Sequence, residues 1–224
     1  VRRHGRELGS RLFRALSPPE PVYVDPRSPP LPQADHGMNL WLGGGGLDTG
    51  RFINIDLSEF YGVDIVAHAG RLPFSQGSCD RVACLALLEH VSNPGEVVRE
   101  VYRVLKPDGL LEVVVPFCHP YHPYPSDFSR FSREGLASMF GDFTEVEIGI
   151  RTGPTTTMLT FMTYYGKLIF PVHCTNPALR WLNRAIMGSF GWFTAPFRYL
   201  DHWLNRLPDA HILANHFYVT ARKP

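Results

Sequence analysis

Met38-Asn39-Leu40-Trp41-Leu42-Gly43-Gly44-Gly45-Gly46 is an apolar run that ends in consecutive glycines. An apolar run bounded by glycine reads as a buried strand, and the glycines let the backbone turn tightly and a ligand approach it closely. The next run, Arg51-Phe52-Ile53-Asn54-Ile55, leads directly into Asp56. An acidic side chain at the C-terminal end of a second strand is where nucleotide-binding sheets grip a ribose diol. Only about eight residues separate the two runs, whereas a parallel crossover usually takes a dozen or more and contains a helix. Eight extended residues reach roughly 26 Å, beyond the roughly 17 Å of a five-residue strand, so a helix-free parallel crossover and a hairpin both stay open.

Beyond this pair, the runs Val63–Ala67, Arg81–Leu85, Leu110–Val115, Phe143–Ile150 and Phe217–Ala221 bring the expected strands to seven. Between the fourth and fifth, Val97, Val98, Val101, Val104 and Leu105 recur at intervals of three and four, the period of a helix with one buried face. Pro94 suits its first turn and Pro107-Asp108-Gly109 its end. A helix with an apolar strand on each side is a βαβ unit, whose parallel strands need the crossover, so the class is α/β. After Ile150 the pattern lengthens into amphipathic stretches rich in aromatics, among them Phe161, Tyr164, Trp181, Phe193 and Trp203, which predicts a helical insertion over residues 154–212 before the last strand.

The N-terminal residues read differently. Residues 17–37 hold seven prolines, which deny the backbone helix and ladder hydrogen bonds, so they form a linker or an extended arm. Residues 1–16 carry five arginines against Glu7, a net +4 that leaves −3 for the rest of the chain. Leu8, Leu12, Phe13 and Leu16 recur among them at helical spacing, either as a solvated helix packed on the domain or as a basic amphipathic helix on an anionic surface. The division is thus 1–37 for the basic segment and arm, and 38–224 for the domain.

The chain has 224 residues, 44% of them hydrophobic, with a formal charge of +1. That content builds a packed core, and the near-neutral balance argues against a general nucleic-acid-coating role. Cys79, Cys84, Cys118 and Cys174 form no CxxC, and a chain of this size needs no staples, so they read as free thiols in a reducing compartment. No run of eighteen apolar residues and no secretory signal is seen, which points to a cytoplasmic protein.

Several elements in chain order resemble a known family. Gly43-Gly44-Gly45, Ile-Asn-Ile-Asp56, Val63-Asp-Ile-Val-Ala-His68-Ala69-Gly-Arg-Leu72-Pro-Phe74, Cys79-Asp-Arg-Val82, Leu87-Leu-Glu89-His90-Val91 and Arg103-Val-Leu-Lys-Pro-Asp-Gly109 are similar to class I S-adenosylmethionine-dependent methyltransferases. The nearest likeness is to a bacterial small-molecule subgroup with a Leu-Glu-His-Val element and a shortened first crossover. It covers about residues 38–150 and the final strand, and together such elements carry more weight than any one of them. The resemblance implies a Rossmann-like seven-stranded, mostly parallel sheet with flanking helices and the helical insertion before the last strand.

Carried over residue by residue, the resemblance places Gly43, Gly44 and Gly45 under the methionine part of S-adenosylmethionine and Asp56 on the ribose hydroxyls; the plain reading of Asp56 is a turn former before Leu57-Ser58. Ala69 to Leu72 would lie against adenine, and Leu85 and His90 near the ribose or methionine. His68 stands where the family usually has an acid that accepts from the adenine amine, and a neutral imidazole can also accept. Glu89-His90 reads equally as a pair supporting the loop or as part of the site.

In open α/β sheets ligands sit at the carboxyl ends of the strands, so Pro116 to Phe131, after the fifth strand, should face the transferred methyl. It contains His119, His122, Asp127 and Arg130, groups suited to proton removal and anion binding, and the expected catalytic residues are His122, His119 and Asp127. The predicted reaction is O-methylation of a small molecule, an aromatic metabolite or a lipid-linked or cell-surface glycan precursor. Contact of the basic N-terminus and aromatic insertion with the inner face of a membrane is a further expectation. Two competing readings are a cofactor-binding module without catalysis and a metal-dependent hydrolase using His119-x-x-His122 with Asp127 or His90. Pro120 between the histidines and the lack of a His-Glu-x-x-His signature rank the metal reading below, so no metal is assigned.

Overall fold

A computed structural model describes residues 18, 20–34, 36–171 and 173–224; the expected basic helix of residues 1–16 lies outside them. The expected runs become β1 (Asn39–Leu42), β2 (Ile53–Asp56), β3 (Ile65–Val66), β4 (Cys79–Leu85), β5 (Leu105–Pro116), β6 (Thr144–Thr152) and β7 (His216–Arg222). They form one sheet in the order β3-β2-β1-β4-β5-β7-β6. β1 pairs parallel with both β2 and β4, so the short first crossover is helix-free and is not a hairpin. β7 is antiparallel to β5 and β6, which sets the last strand apart from the parallel core.

Helix α1 (Pro94–Val104) is the crossover from β4 to β5. Asn93 caps its start and Pro94 occupies the first turn, where a missing N–H costs nothing. Its buried face is Val97, Val98, Val101 and Val104, each worth about 1.5 kcal/mol of burial against the sheet. α2 (Arg133–Met139) precedes β6, and Ser132 caps it. The core joins α1, the sheet interior, and Leu136, Phe140 and Phe143 around α2.

The insertion is helical as expected: α3 (Pro154–Ile169), α4 (Pro177–Thr194), a 3-10 stretch Ala195–Leu200, α5 (Asp201–Leu204) and a 3-10 turn Ala210–Leu213. Buried Asp201 ties α5 to the start of α3, accepting the backbone N–H groups of Thr155 at 2.6 Å and Thr156 at 2.9 Å, the orphan donors of that helix. The proline-rich segment is an arm laid along this junction. Val24 bridges Thr152, the Asp25 N–H donates to the Arg151 carbonyl at 2.9 Å, and Asn205 Nδ2 donates to Asp25 Oδ2 at 2.9 Å. All four cysteines are free thiols, Cys79 and Cys84 being buried. Among the described residues no helix is long and apolar enough to cross a membrane.

Candidate active site

A cleft of about 600 Å³ opens where β1 and β2 end, within the range of small-molecule sites. Its floor is main chain. Gly43 (φ +72°) and Gly45 (φ +51°) take left-handed conformations that side chains oppose, and the Gly43 N–H donates to the Ile55 carbonyl at 2.8 Å. Gly44 has another reason to be glycine: a Cβ there would fall 2.2 Å from Asn54 Oδ1. Asn54 is fully buried on β2 and ties the loop down, its Nδ2 donating to the carbonyls of Gly45 at 3.0 Å and Gly62 at 2.9 Å.

Asp56 stands on the rim, and both readings of it hold in part. Its Oδ1 accepts the Ser58 N–H at 3.1 Å, the turn role, while Oδ2 accepts the Gly45 N–H at 2.9 Å and the residue lines the cleft. Each carboxylate oxygen keeps lone-pair capacity for a hydroxyl. His68 also lines the cleft, but its Nδ1 accepts the Gly70 N–H at 3.0 Å, which puts the proton of the neutral ring on Nε2. The free edge of His68 is therefore a donor, correcting the expectation that it accepts from an amine.

The opposite wall is built from side chains on the segment after β5 and on the 3-10 turn Leu88–His90 after β4. Asp127, with its side chain 1% exposed, holds the loop. It receives both Arg130 guanidinium nitrogens, at 2.5 and 2.6 Å, and the His122 N–H at 2.8 Å. Arg130 beside it keeps the Asp127 carboxyl well below the usual carboxylate range. Arg130 also donates to the carbonyls of His119 and Pro120, and the Phe128 N–H donates to the Glu89 carbonyl at 2.7 Å. Asp127 is thus an anchor for the loop rather than the proton acceptor the sequence suggested, because its oxygens are occupied and it does not line the cleft.

The anchored loop piles histidines against Glu89. Rings of His90 and His122 lie 5.1 Å apart, His122 and His119 4.5 Å, and His119 and His216 5.2 Å. Burial lowers the His119 pKa, and burial with neighbouring positive charge pushes His216 down to about 3. Glu89 is 0% exposed, and neither of its carboxylate oxygens has a hydrogen-bond partner. Burial raises its pKa above the ordinary range.

Of the expected residues, Gly43, Gly44, Gly45, Asp56, His68, Ala69 and His90 share the cleft. Leu72 and Leu85 do not. Leu72 is 5% exposed in the core, with its N–H held by Glu100 at 2.6 Å. Leu85 faces a small crevice of about 20 Å³ shared with Pro29, Pro30 and Pro32 of the arm. His119 and His122 stand behind His90 rather than on the cleft surface. Sequence reasoning missed Ala86, Leu87, Phe60 and Phe128 on the lining; Leu87 lies so close to Gly43 that a Cβ there would come within 2.9 Å of it. Leu87 was within reach, since the residues just past the end of a parallel strand commonly face the ligand.

Residues 49–113 match a protein family described as a methyltransferase domain. No curated protein sequence matches the chain. Among solved structures, the [4+2]-cyclase SpnF superposes with a TM-score of 0.51 at 19% identity, over 84% of this chain and 75% of that one. A Thermotoga maritima protein described as a SAM-dependent methyltransferase, possible histamine N-methyltransferase, gives 0.50 at 16% identity, over 85% of this chain and 84% of that one. A Haemonchus contortus phosphoethanolamine N-methyltransferase, solved with phosphomonomethylethanolamine and S-adenosylhomocysteine, gives 0.51 at 15% identity, over 87% of this chain and 50% of that one. The chain therefore spans half the length of that enzyme. These likenesses establish the fold, and with the family match they bear out the resemblance read from the sequence.

Proposed function

We propose that this class I S-adenosylmethionine-dependent methyltransferase methylates an oxygen acceptor that is a small molecule or a lipid-linked glycan precursor. The observation that carries the proposal is the two-walled cleft, with a glycine floor and Asp56 on one side and the Glu89–His90–His122 group on the other. The cofactor, when bound, supplies a methyl group on a sulfonium. Gly43, Gly44 and Gly45 offer the backbone surface for its methionine part, Asp56 has lone pairs for the ribose hydroxyls, and Ala69 and the donor edge of His68 face the base. A cyclase with the same fold shows that the fold alone does not name a reaction, and here the family match favours methyl transfer.

An oxygen acceptor must lose a proton as it gains the methyl, and the histidine wall is where this chain can take it up. His90 reaches the cleft surface, and His122 and His119 extend the polar wall behind it. The Asp127–Arg130 pair keeps these rings in place, and alignment of acceptor and methyl is the larger part of catalysis in such a displacement.

The substrate class rests on the insertion. Leu168, Trp181 and Phe193 are 81%, 75% and 73% exposed, and Trp203 also faces solvent. No acidic residue occurs between Glu147 and Asp201, whereas Lys167, Arg180, Arg184 and Arg198 do. Exposed aromatics with cations and no anions suit an anionic lipid surface, from which a lipid-linked acceptor would be drawn, with the enzyme peripheral to the inner face of the membrane.

Calorimetric titration with S-adenosylmethionine and S-adenosylhomocysteine tests the first half, with one cofactor bound per chain expected and no binding overturning it. Co-sedimentation with phosphatidylglycerol–phosphatidylcholine vesicles tests the second. Binding that weakens in the Trp181→Ser/Phe193→Ser variant is expected, and a protein that stays wholly in the supernatant sinks the membrane version.

A further inference from the structure

The Glu89 carboxylate is a buried acceptor with no hydrogen-bond partner, and two histidines beside it also present acceptors. His90 Nδ1 lies 2.5 Å from the Ser126 carbonyl, and His122 Nδ1 lies 3.2 Å from the Pro120 carbonyl. A carbonyl only accepts, so the neutral His90 ring carries its proton on Nδ1; at His122 the Pro120 carbonyl and Asp127 Oδ2 favour the same tautomer over Arg130 Nη2, 3.4 Å from that nitrogen, which leaves the Nε2 lone pair of each ring free. Both Nε2 atoms lie 3.9 Å from the same Glu89 oxygen, too far for a hydrogen bond. Two imidazole lone pairs and a carboxylate converging without a donor are satisfied either by a proton on Glu89 or by a cation among the three.

We propose that Glu89, His90 and His122 form a binding site for a divalent transition-metal ion of the zinc class. Ligand atoms from the three residues lie within 4.8 Å of one another. For atoms about 4–5 Å apart, a common point lies about 2.3–2.8 Å from each, so shifts of roughly 0.5 Å reach the 2.0–2.2 Å of zinc–nitrogen and zinc–carboxylate bonds. Two histidines and one carboxylate are a ligand set of catalytic zinc, which keeps its remaining position open. The Nδ1–H groups bound to the Ser126 and Pro120 carbonyls are the outer partners that orient ligating imidazoles, and Asp127 Oδ2, 3.4 Å from His122 Nδ1, adds a negative charge behind the second ring.

The site differs from the pairing that the sequence suggests. His119-x-x-His122 brings the two rings together, but His119 Nδ1 turns to the Pro120 carbonyl at 2.8 Å and its ring packs between His122 and His216, while Asp127 is occupied by Arg130. The ligands come instead from the turn after β4 and the loop after β5, two elements that the parallel sheet sets side by side. Because His90 also lines the cleft, the site borders it. In a clause that rests on the function proposed above, an acceptor hydroxyl bound there would be acidified by the ion, sparing the histidines a role as base.

The full-length chain, stripped with chelator and dialysed, is titrated with zinc chloride without cofactor, with metal content read by elemental analysis. One zinc per chain at a dissociation constant below about 1 µM is expected, and Glu89→Gln and His122→Gln should each weaken it by about 100-fold or more. Cobalt(II) in place of zinc should give the visible absorption of a four- or five-coordinate nitrogen–oxygen site, lost in the same variants. Should Glu89→Gln fail to fold by circular dichroism, His122→Gln, at a partly exposed side chain, carries the test. Absence of zinc above background, or equal affinity in folded variants, overturns the proposal and leaves Glu89 neutralised by a proton. Cofactor calorimetry on the same samples reads the methyltransferase function separately, so either idea fails without the other.

Discussion

The two walls of the cleft are made of different material. The β1–β2 side is founded on backbone: glycine N–H and carbonyl groups fixed by Asn54 and Asp56, with side chains excluded by geometry at Gly43 and Gly44. The β4–β5 side is almost all side chain, with Glu89, three histidines and an Asp–Arg pair packed on an irregular loop. A backbone wall recognises what every reaction of the fold shares, since it varies little with sequence. A side-chain wall is where one chain can differ from its structural relatives in acceptor and proton chemistry.

Substitutions can break this contrast one wall at a time. The largest effect is expected for Gly44→Val, whose Cβ meets Asn54 Oδ1 at 2.2 Å. Loss of S-adenosylhomocysteine affinity by about 100-fold or more, measured by calorimetry, would mark the wall as a backbone site, and unchanged affinity would disprove that account. Asp127→Asn comes next and should lower stability by about 3 kcal/mol in urea titration, because it strands Arg130 without its carboxylate. The sign with pH follows from the depressed pKa: the stabilisation is fully present above the ordinary value of 3.8 and is lost as pH falls toward the folded value. The Asn variant should therefore lack that part of the acid slope, while its cofactor affinity stays within a few-fold of the parent.

Asp56→Ala should weaken cofactor binding by about tenfold, less than Gly44→Val because it removes acceptors without filling space. The smallest effect at neutral pH is expected at His216. Its neutral ring in the fold titrates near 3 against an ordinary 6.5, so the native state binds fewer protons and stability falls as pH drops from about 6.5 toward 3. His216→Gln should flatten that segment of the curve in thermal melts, and an unchanged slope would show that the histidine pile is less buried than its packing indicates.

The same contrast explains what could be read from the sequence. Strands and the α1 crossover were legible because apolar runs and a three-four valine period record burial directly. The glycine wall was legible because main-chain geometry restricts which residue can stand at Gly43 and Gly44. The crossover between β1 and β2 stayed ambiguous since a parallel step and a hairpin fit the same length, and only the pairing of Leu40 with Ile53 decides it. Leu72 and Leu85 were misplaced because proximity in sequence to a strand end does not say which face a side chain takes; one went to the core and the other under the arm. Glu89 was visible only as half of an ambiguous pair, for nothing local tells that His122, 33 positions later, will come beside it.

The arm along β6 has a consequence for the molecule in crowded solution. A seven-stranded sheet has two rims, and a bare rim offers a row of unpaired amide groups to any extended chain that drifts past. At one rim the strand is only Ile65–Val66, too brief to template a neighbour. At the other, β6 is longer, and the arm meets it at Val24 opposite Thr152, with Asp25 on the Arg151 carbonyl and Arg151 reaching Ser28 at 2.9 Å and the Pro29 carbonyl. Prolines that cannot donate to a further strand follow at once, so the strip ends in a surface that passes no ladder onward. The proline-rich segment thereby serves as a selvedge at the Arg151–Thr152 end of that rim.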